Sequence, residues 1–334
     1  MNAPDLASRY AASTSAPASA AFTAPTSIPD YLDRLRRALA GADPALVQDA
    51  LYDAEEYLRS ELAEQLAQGG PGKSEAEVIA AVAGSYGAPD EVAGIYRDTE
   101  VTVQTALRAP PPPPRKSVLG RFFGVAAEPR TYAALFYMLL SLATGIFYFT
   151  WVVTGASLSA GLAVLIIGIP FVILFLGSVR VLSLVEGRLV EVMLGERMPR
   201  RPLYSGRGKP LMERIKDMFV DPRTWGTLLY MLLMLPLGIV YFTLALTLLS
   251  VSLAFIAAPV AVLFDGFGSG ISIDGGLLHL GDLQATTSLE VWQLPLLFVA
   301  GVVLLFATLH LARGIGSMHG QLAKHLLVKS AQYD

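Results

Sequence analysis

"EPRTYAALFYMLLSLATGIFYFT", residues 128–150, aligns without a gap to "DPRTWGTLLYMLLMLPLGIVYFT", residues 221–243, and 14 of the 23 positions are identical. Unrelated apolar segments do not share Pro-Arg-Thr, Tyr-Met-Leu-Leu, Gly-Ile and Tyr-Phe-Thr in one order, so the two stretches read as a duplication. The match continues beyond them. Upstream, Arg121 faces Arg214; downstream, "VRVLSLVEGRL" from Val179 parallels "LARGIGSMHGQL" from Leu311, aligning Arg180 with Arg313 and Gly187 with Gly320. Each unit is then a helix pair, and in the second a stretch of about 40 residues interrupts the hairpin.

Composition says where such pairs reside. The 334 residues are 53% hydrophobic and 16% charged, with a mean hydropathy of +0.51, which does not suit a water-soluble chain of this length. Residues 131–179, 224–264 and 291–309 contain no Asp, Glu, Lys, Arg or His. At roughly 20 residues per span, these runs predict four transmembrane helices near 131–154, 157–182, 225–249 and 293–313, with a turn near Thr154 to Ser157. The apolar piece 251–264, with Pro259, is expected to be re-entrant, interfacial or an outward extension of the third span.

Charge sets the expected orientation. Residues 180–223 hold ten Lys or Arg, 108–130 hold five, and the segment after Leu309 holds three. Residues 265–293 hold none, but carry Asp265, Asp274, Asp282 and Glu290. The positive-inside rule then puts both termini and the middle loop in the cytoplasm, and 265–293 outside the inner (plasma) membrane. Both units enter from the same side, as parallel repeats do. Within the outer loop, "GISIDGGLLHLG" has two apolar arms about Asp274 and Gly275, a pattern for a small β-hairpin.

Ahead of the spans the composition changes. Twenty of the first 28 residues are Ala, Ser, Thr or Pro, too few large apolar groups to offset the entropy of ordering, so a disordered tail is expected rather than a signal peptide. Residues 29–108 carry helix punctuation: Ser27 before Pro29 and Asp30, Asp43 before Pro44, Ser74 before Glu77, and Pro89 after Gly87. Four helices follow. In the second, Val47, Leu51, Ala54, Leu58, Leu62 and Leu66 mark the core face, while Asp49, Asp53, Glu56 and Glu64 lie on other faces and are the candidate residues for docking a partner. Residues 109–117, "APPPPPRKS", form a stiff polyproline spacer of about 15 Å.

The chain carries little chemistry for conversion. It has no cysteine, which removes thiolate metal sites and cysteine nucleophiles. The four histidines, His279, His310, His319 and His325, follow no zinc spacing, and Gly314, Gly316 and Gly320 lack the strand a phosphate loop requires. The charge-free spans offer neither a base nor paired carboxylates, so an enzyme, a metal site or a cofactor is not expected. A net charge of -3 argues against direct nucleic-acid binding.

"YLDRLRRALAGADPALVQDALYDAEEYLRSELAE" followed by "SEAEVIAAVAGSYGAPDEVAGIY" resembles the HAAS signalling domain family over residues 31–97. Residues 118–328, through "DPRTWGTLLYMLLMLPLGIVYFT", "VLIIGIP", "AAPVAVLF" and "HLARGIGSMHGQLAKHLL", resemble the sensor domain that precedes kinase modules in many bacterial histidine kinases. The resemblance implies signalling, often beside PadR-type regulators or two-component proteins. It also sets an expectation of no kinase here, since only 15 residues follow His319.

These readings converge on an all-α, polytopic, non-enzymatic regulator with a small cytoplasmic helical domain. The lipid bilayer and a separate cytoplasmic signalling protein or transcription regulator are its expected partners, and association with further copies of itself is left open. Asp265, Asp274, His279, Asp282 and Glu290 are the candidate residues for sensing outside the membrane. The alternative is a transporter subunit or permease-like scaffold, favoured by the parallel repeat and disfavoured by the uncharged spans.

Overall fold

The computed structural model describes residues 25–67, 75–107, 117–162, 168–201, 216, 219–263, 271–274, 277–280, 283–287 and 291–328. The expected tail up to residue 24, the polyproline stretch up to residue 116, and residues 202–215, 217 and 218 of the middle loop lie outside these residues. The chain divides into two compact units after Val101.

The first unit contains α1 (Ile28–Ala38), α2 (Pro44–Ala67), α3 (Glu75–Tyr86) and most of α4 (Pro89–Leu107). The helix starts follow the sequence signals. The Ser27 hydroxyl accepts from the Asp30 backbone N–H at 3.2 Å, and the Asp43 carboxylate accepts from the Ala45 N–H at 2.9 Å, each satisfying a donor that the first helical turn leaves free. Leu51, Ala54 and Leu58 are buried, as the three-and-four spacing requires, and so are Tyr31 and Leu35 of α1 and Val82 of α3. Tyr31 is wholly buried, and its hydroxyl donates to the Gly87 carbonyl at 2.9 Å, tying α1 to the turn before α4. That turn needs glycine: Gly87 has a φ of 114°, a region other residues rarely enter.

The second unit opens with a short helix, α5 (Val118–Phe123), and a 3-10 turn, Gly124–Ala127. Four long helices follow: α6 (Pro129–Leu162), α7 (Gly168–Leu194), α8 (Pro222–Leu263) and α9 (Leu294–Leu327). By length and hydropathy, all four are able to cross a membrane. Their outward faces carry Phe136, Leu174 and Leu296 at 59%, 73% and 65% exposure, a surface fit for lipid rather than water. Helix α8 packs mainly against α6 and α9, and α7 against α6 and α9. Between α8 and α9 lie strands β1 (Ile271–Asp274), β2 (Leu277–Leu280) and β3 (Leu283–Thr287), paired antiparallel in the order β1-β2-β3, with Asp274 opposite Leu277.

Two expectations about the spans are corrected, and of the three alternatives for 251–264 the structure shows the extension of the third span. No turn occurs at Thr154 to Ser157, because α6 runs on to Leu162. Gly155 lies against the Phe175 ring of α7, so the small residues there permit close helix packing instead of a bend. The segment 251–264 is neither re-entrant nor a separate interfacial piece; through Leu263 it continues α8, which keeps both Pro236 and Pro259 within one helix. Finally, α7 and α9 extend well past the charge-free runs, and they carry Glu186 and His319 into the packed interior.

Candidate functional site

Tyrosines 11 positions apart return to the same face of an α-helix after three turns, about 16 Å along the axis. Helix α6 places Tyr137 and Tyr148 in this way, and α8 places Tyr230 and Tyr241. These are aligned positions of the two 23-residue segments, both pairs being 93 residues apart. Glu186 on α7 and His319 on α9 are likewise aligned, each standing immediately before the matched glycines Gly187 and Gly320.

All six side chains meet in one polar node. The Tyr137 hydroxyl lies 2.6 Å from Glu186 Oε1 and 2.7 Å from His319 Nε2. The Tyr230 hydroxyl reaches the same two atoms, each at 2.9 Å. Tyr148 donates to Glu186 Oε2 at 3.0 Å, and Tyr241 lies 3.5 Å from His319 Nδ1. Glu186 has no exposed surface, and Tyr137, Tyr230 and His319 have 1% each.

The donor and acceptor count closes. Three hydroxyls donate to the Glu186 carboxylate; the His319 Nε2–H is shared between the oxygens of Tyr137 and Tyr230; Nδ1 then accepts from Tyr241. This assignment of the imidazole proton follows from its neighbours. Hydrogen bonds to a charged acceptor contribute about 1.5–3 kcal/mol each, and an orphaned buried partner costs a similar amount. Since every helix of the bundle supplies at least one member, rotating any of the four breaks a bond held by another. The node therefore fixes helix register.

Close packing brings the members into range. An alanine Cβ at Gly145 would overlap the Met234 carbonyl oxygen, and one at Gly238 would overlap that of Ser141. Gly145 aligns with Gly238, and Ser141 with Met234, so the α6–α8 crossing uses the same two positions from both sides. Hydrocarbon solvates apolar side chains as well as the bundle interior does, which leaves such close contacts and interhelical hydrogen bonds to hold the helices together. Met138, Tyr241, Ala245, Ala312 and Ile315 form the apolar cluster beside this crossing.

Two ion pairs brace the helices further along. Glu128 pairs with Arg313 at 2.6 Å and Asp221 with Arg180 at 3.5 Å, again between aligned positions. Near the end of α7, the buried Glu191 gathers Arg188, Arg197 and Arg200. The 3-10 turn leads into α6 after α5, whose Phe122 and Phe123 pack on Phe306 of α9, while His310 Nε2 approaches the Phe122 carbonyl at 3.0 Å.

The candidate residues from the sequence fall differently. Asp49 is buried, at 6% exposure, and Asp53 accepts from the Tyr96 hydroxyl at 3.1 Å, while Glu56 and Glu64 face outward. Asp274 and His279 stand on β1 and β2. Asp265, Asp282 and Glu290 lie outside the described residues. Glu186 and His319 are missing from the candidates, yet two tyrosines shared by the aligned segments at an 11-residue spacing are a signal for a common polar partner.

Two family models match the chain. The HAAS model covers residues 30–94, and the Sensor model covers residues 137–327, which includes the node, α6 from Tyr137 onward and the whole of α7, α8 and α9. No curated protein and no solved structure matches the chain. The Sensor match extends over more than half of the sequence, and with a HAAS domain ahead of it the chain belongs to the Sensor family.

Proposed function

We propose that this protein is a non-enzymatic sensor of the inner membrane that passes an envelope or lipid signal to a separate cytoplasmic partner, a transcription regulator of the PadR type or a histidine kinase. The observation that carries this reading is the node, in which Tyr137, Tyr230, Glu186 and His319 draw one residue from each of the four long helices. A stimulus that displaces one helix has to alter bonds held by the others, which is what a signalling bundle requires. The alignment supports a further reading, that α6–α7 and α8–α9 are duplicated pairs entering from one side, with the strands between α8 and α9 outside the membrane. Glu56 and Glu64 are then the docking positions on the HAAS domain that a partner reaches without opening it.

Affinity capture of the tagged full chain from membranes tests the reading. Deletion of residues 29–108 is expected to abolish recovery of the regulator or kinase while the remainder still inserts. Recovery unchanged by the deletion contradicts the docking role. Saturable substrate flux in reconstituted vesicles contradicts a pure signalling role and favours the transporter alternative.

A further inference from the structure

An arginine at the start of a transmembrane helix ordinarily snorkels to the lipid headgroups. Arg223, the second residue of α8, does not: it is buried, with 7% exposure. Among the described residues its Nη1 has no hydrogen-bond partner, and neither does Arg180 Nε nor Thr224 Oγ1. Arg223 lies within electrostatic range of both Asp221 and Arg180, so one carboxylate is the counter-charge for two guanidinium groups, and it is ion-paired with Arg180. That carboxylate is already divided. It accepts from the Arg223 backbone N–H at 3.0 Å and holds Arg180 only at 3.5 Å. The aligned acid in the first copy, Glu128, is one methylene longer and reaches Arg313 at 2.6 Å.

The second segment thus leaves positive charge in a buried setting with open donors, an arrangement that is unfavourable unless a counter-anion completes it. The positive end of the α8 dipole adds to the same field. We infer that Arg180, Arg223 and Thr224 form a binding site for a phosphate group at the first turn of α8. The paired guanidinium forks suit the bidentate oxygens of phosphate, and the hydroxyl supplies a further donor. Two sources carry this chemistry: the headgroup of an anionic phospholipid, which basic pockets between transmembrane helices take up, and free phosphate. Arg180, with 28% of its side chain exposed, provides the approach. This inference does not depend on the signalling reading.

Thermal denaturation of the full-length protein in neutral detergent tests it, with phosphatidylglycerol, phosphatidylcholine and inorganic phosphate titrated separately at matched ionic strength. The midpoint is expected to rise with phosphatidylglycerol and not with phosphatidylcholine, and the rise is expected to vanish in Arg223→Gln and Arg180→Gln. A rise with inorganic phosphate that both variants abolish supports the same site with the soluble source. If the glutamine variants do not fold, Asp221→Asn serves instead. Freeing both guanidinium groups is expected to lower the half-saturating amount of the effective probe by about tenfold, the effect of one charge-assisted hydrogen bond. Arg121→Gln on α5 is expected to leave the response unchanged. No response to any probe, or a response indifferent to Arg180, Arg223 and Asp221 alike, overturns the inference.

Discussion

Tyr137 and Tyr230 stand at aligned positions 93 residues apart, and their hydroxyls lie on the same Glu186 oxygen and the same His319 nitrogen. Either tyrosine alone satisfies part of the node; together they join α6 and α8 to α7 and α9. Replacing Tyr137 or Tyr230 with Phe is expected to destabilise the bundle by about 1–3 kcal/mol, because each change leaves a buried acceptor short of a donor. In the double Phe variant the losses are not expected to add, since both act on the same pair of atoms. Melting temperatures of the three variants in detergent check this, and simple additivity contradicts the shared geometry.

The glycine crossing makes a sharper distinction among residues of one type. Gly145→Ala and Gly238→Ala each drive a methyl group into backbone of the facing helix, so both are expected to separate α6 from α8 and lower the melting temperature. Gly161 and Gly314 have open space at the Cβ position, and alanine there is expected to be neutral or stabilising by up to about 1 kcal/mol. A uniform response at all four glycines contradicts the crossing.

Much of this arrangement was legible in the sequence. The four helices, the caps at Ser27 and Asp43, and the core stripe Leu51–Ala54–Leu58 all follow from spacing and periodicity. The node did not follow, for a physical reason. Charge-free runs locate the hydrocarbon-spanning windows, and these end at Val179 and Leu309; Glu186 and His319 lie seven and ten residues further on, in helices that simply continue. A tyrosine hydroxyl suits the headgroup region as well as it suits a buried carboxylate, so the sequence alone also allows Tyr148 and Tyr241 to be interfacial anchors. Only the placement of α7 beside α6, and of α9 beside α8, distinguishes those roles. Similarly, Thr154 to Ser157 looks like a turn in sequence, but small residues serve close helix packing equally well.

In the HAAS domain, pH provides a test. The Asp30 carboxyl is held below its ordinary value of 3.8, chiefly by the hydrogen bonds from Arg34, with Thr26 N–H assisting. A group whose pKa is lowered on folding stabilises the fold above its ordinary value, and this contribution disappears as the pH falls through the lowered one. Asp30→Asn in the full chain is therefore expected to speed amide exchange in α1 near neutral pH, with the difference from the parent closing as the pH falls below the ordinary carboxyl value and through the lowered one. A difference that persists in acid means that the substitution acts through something other than this pair.

Orientation is tested by fusion. A reporter enzyme inserted after Asp274 is expected to be active only outside the cytoplasm, while reporters at residue 28 and after residue 328 are expected to be active only within it. Activity of all three on one side removes the proposed sensing role of the β1–β3 segment.

The central claim is that two helix pairs are energetically joined through one buried node. Glu186→Gln, His319→Gln and the double variant, denatured side by side as full-length protein, measure that coupling directly. Glu186 and His319 share Tyr137 and Tyr230, so the account predicts an interaction energy of about 1 kcal/mol or more between the two substitutions. Strictly additive losses would mean that the two residues belong to separate local structures, and the joined bundle would have to be abandoned.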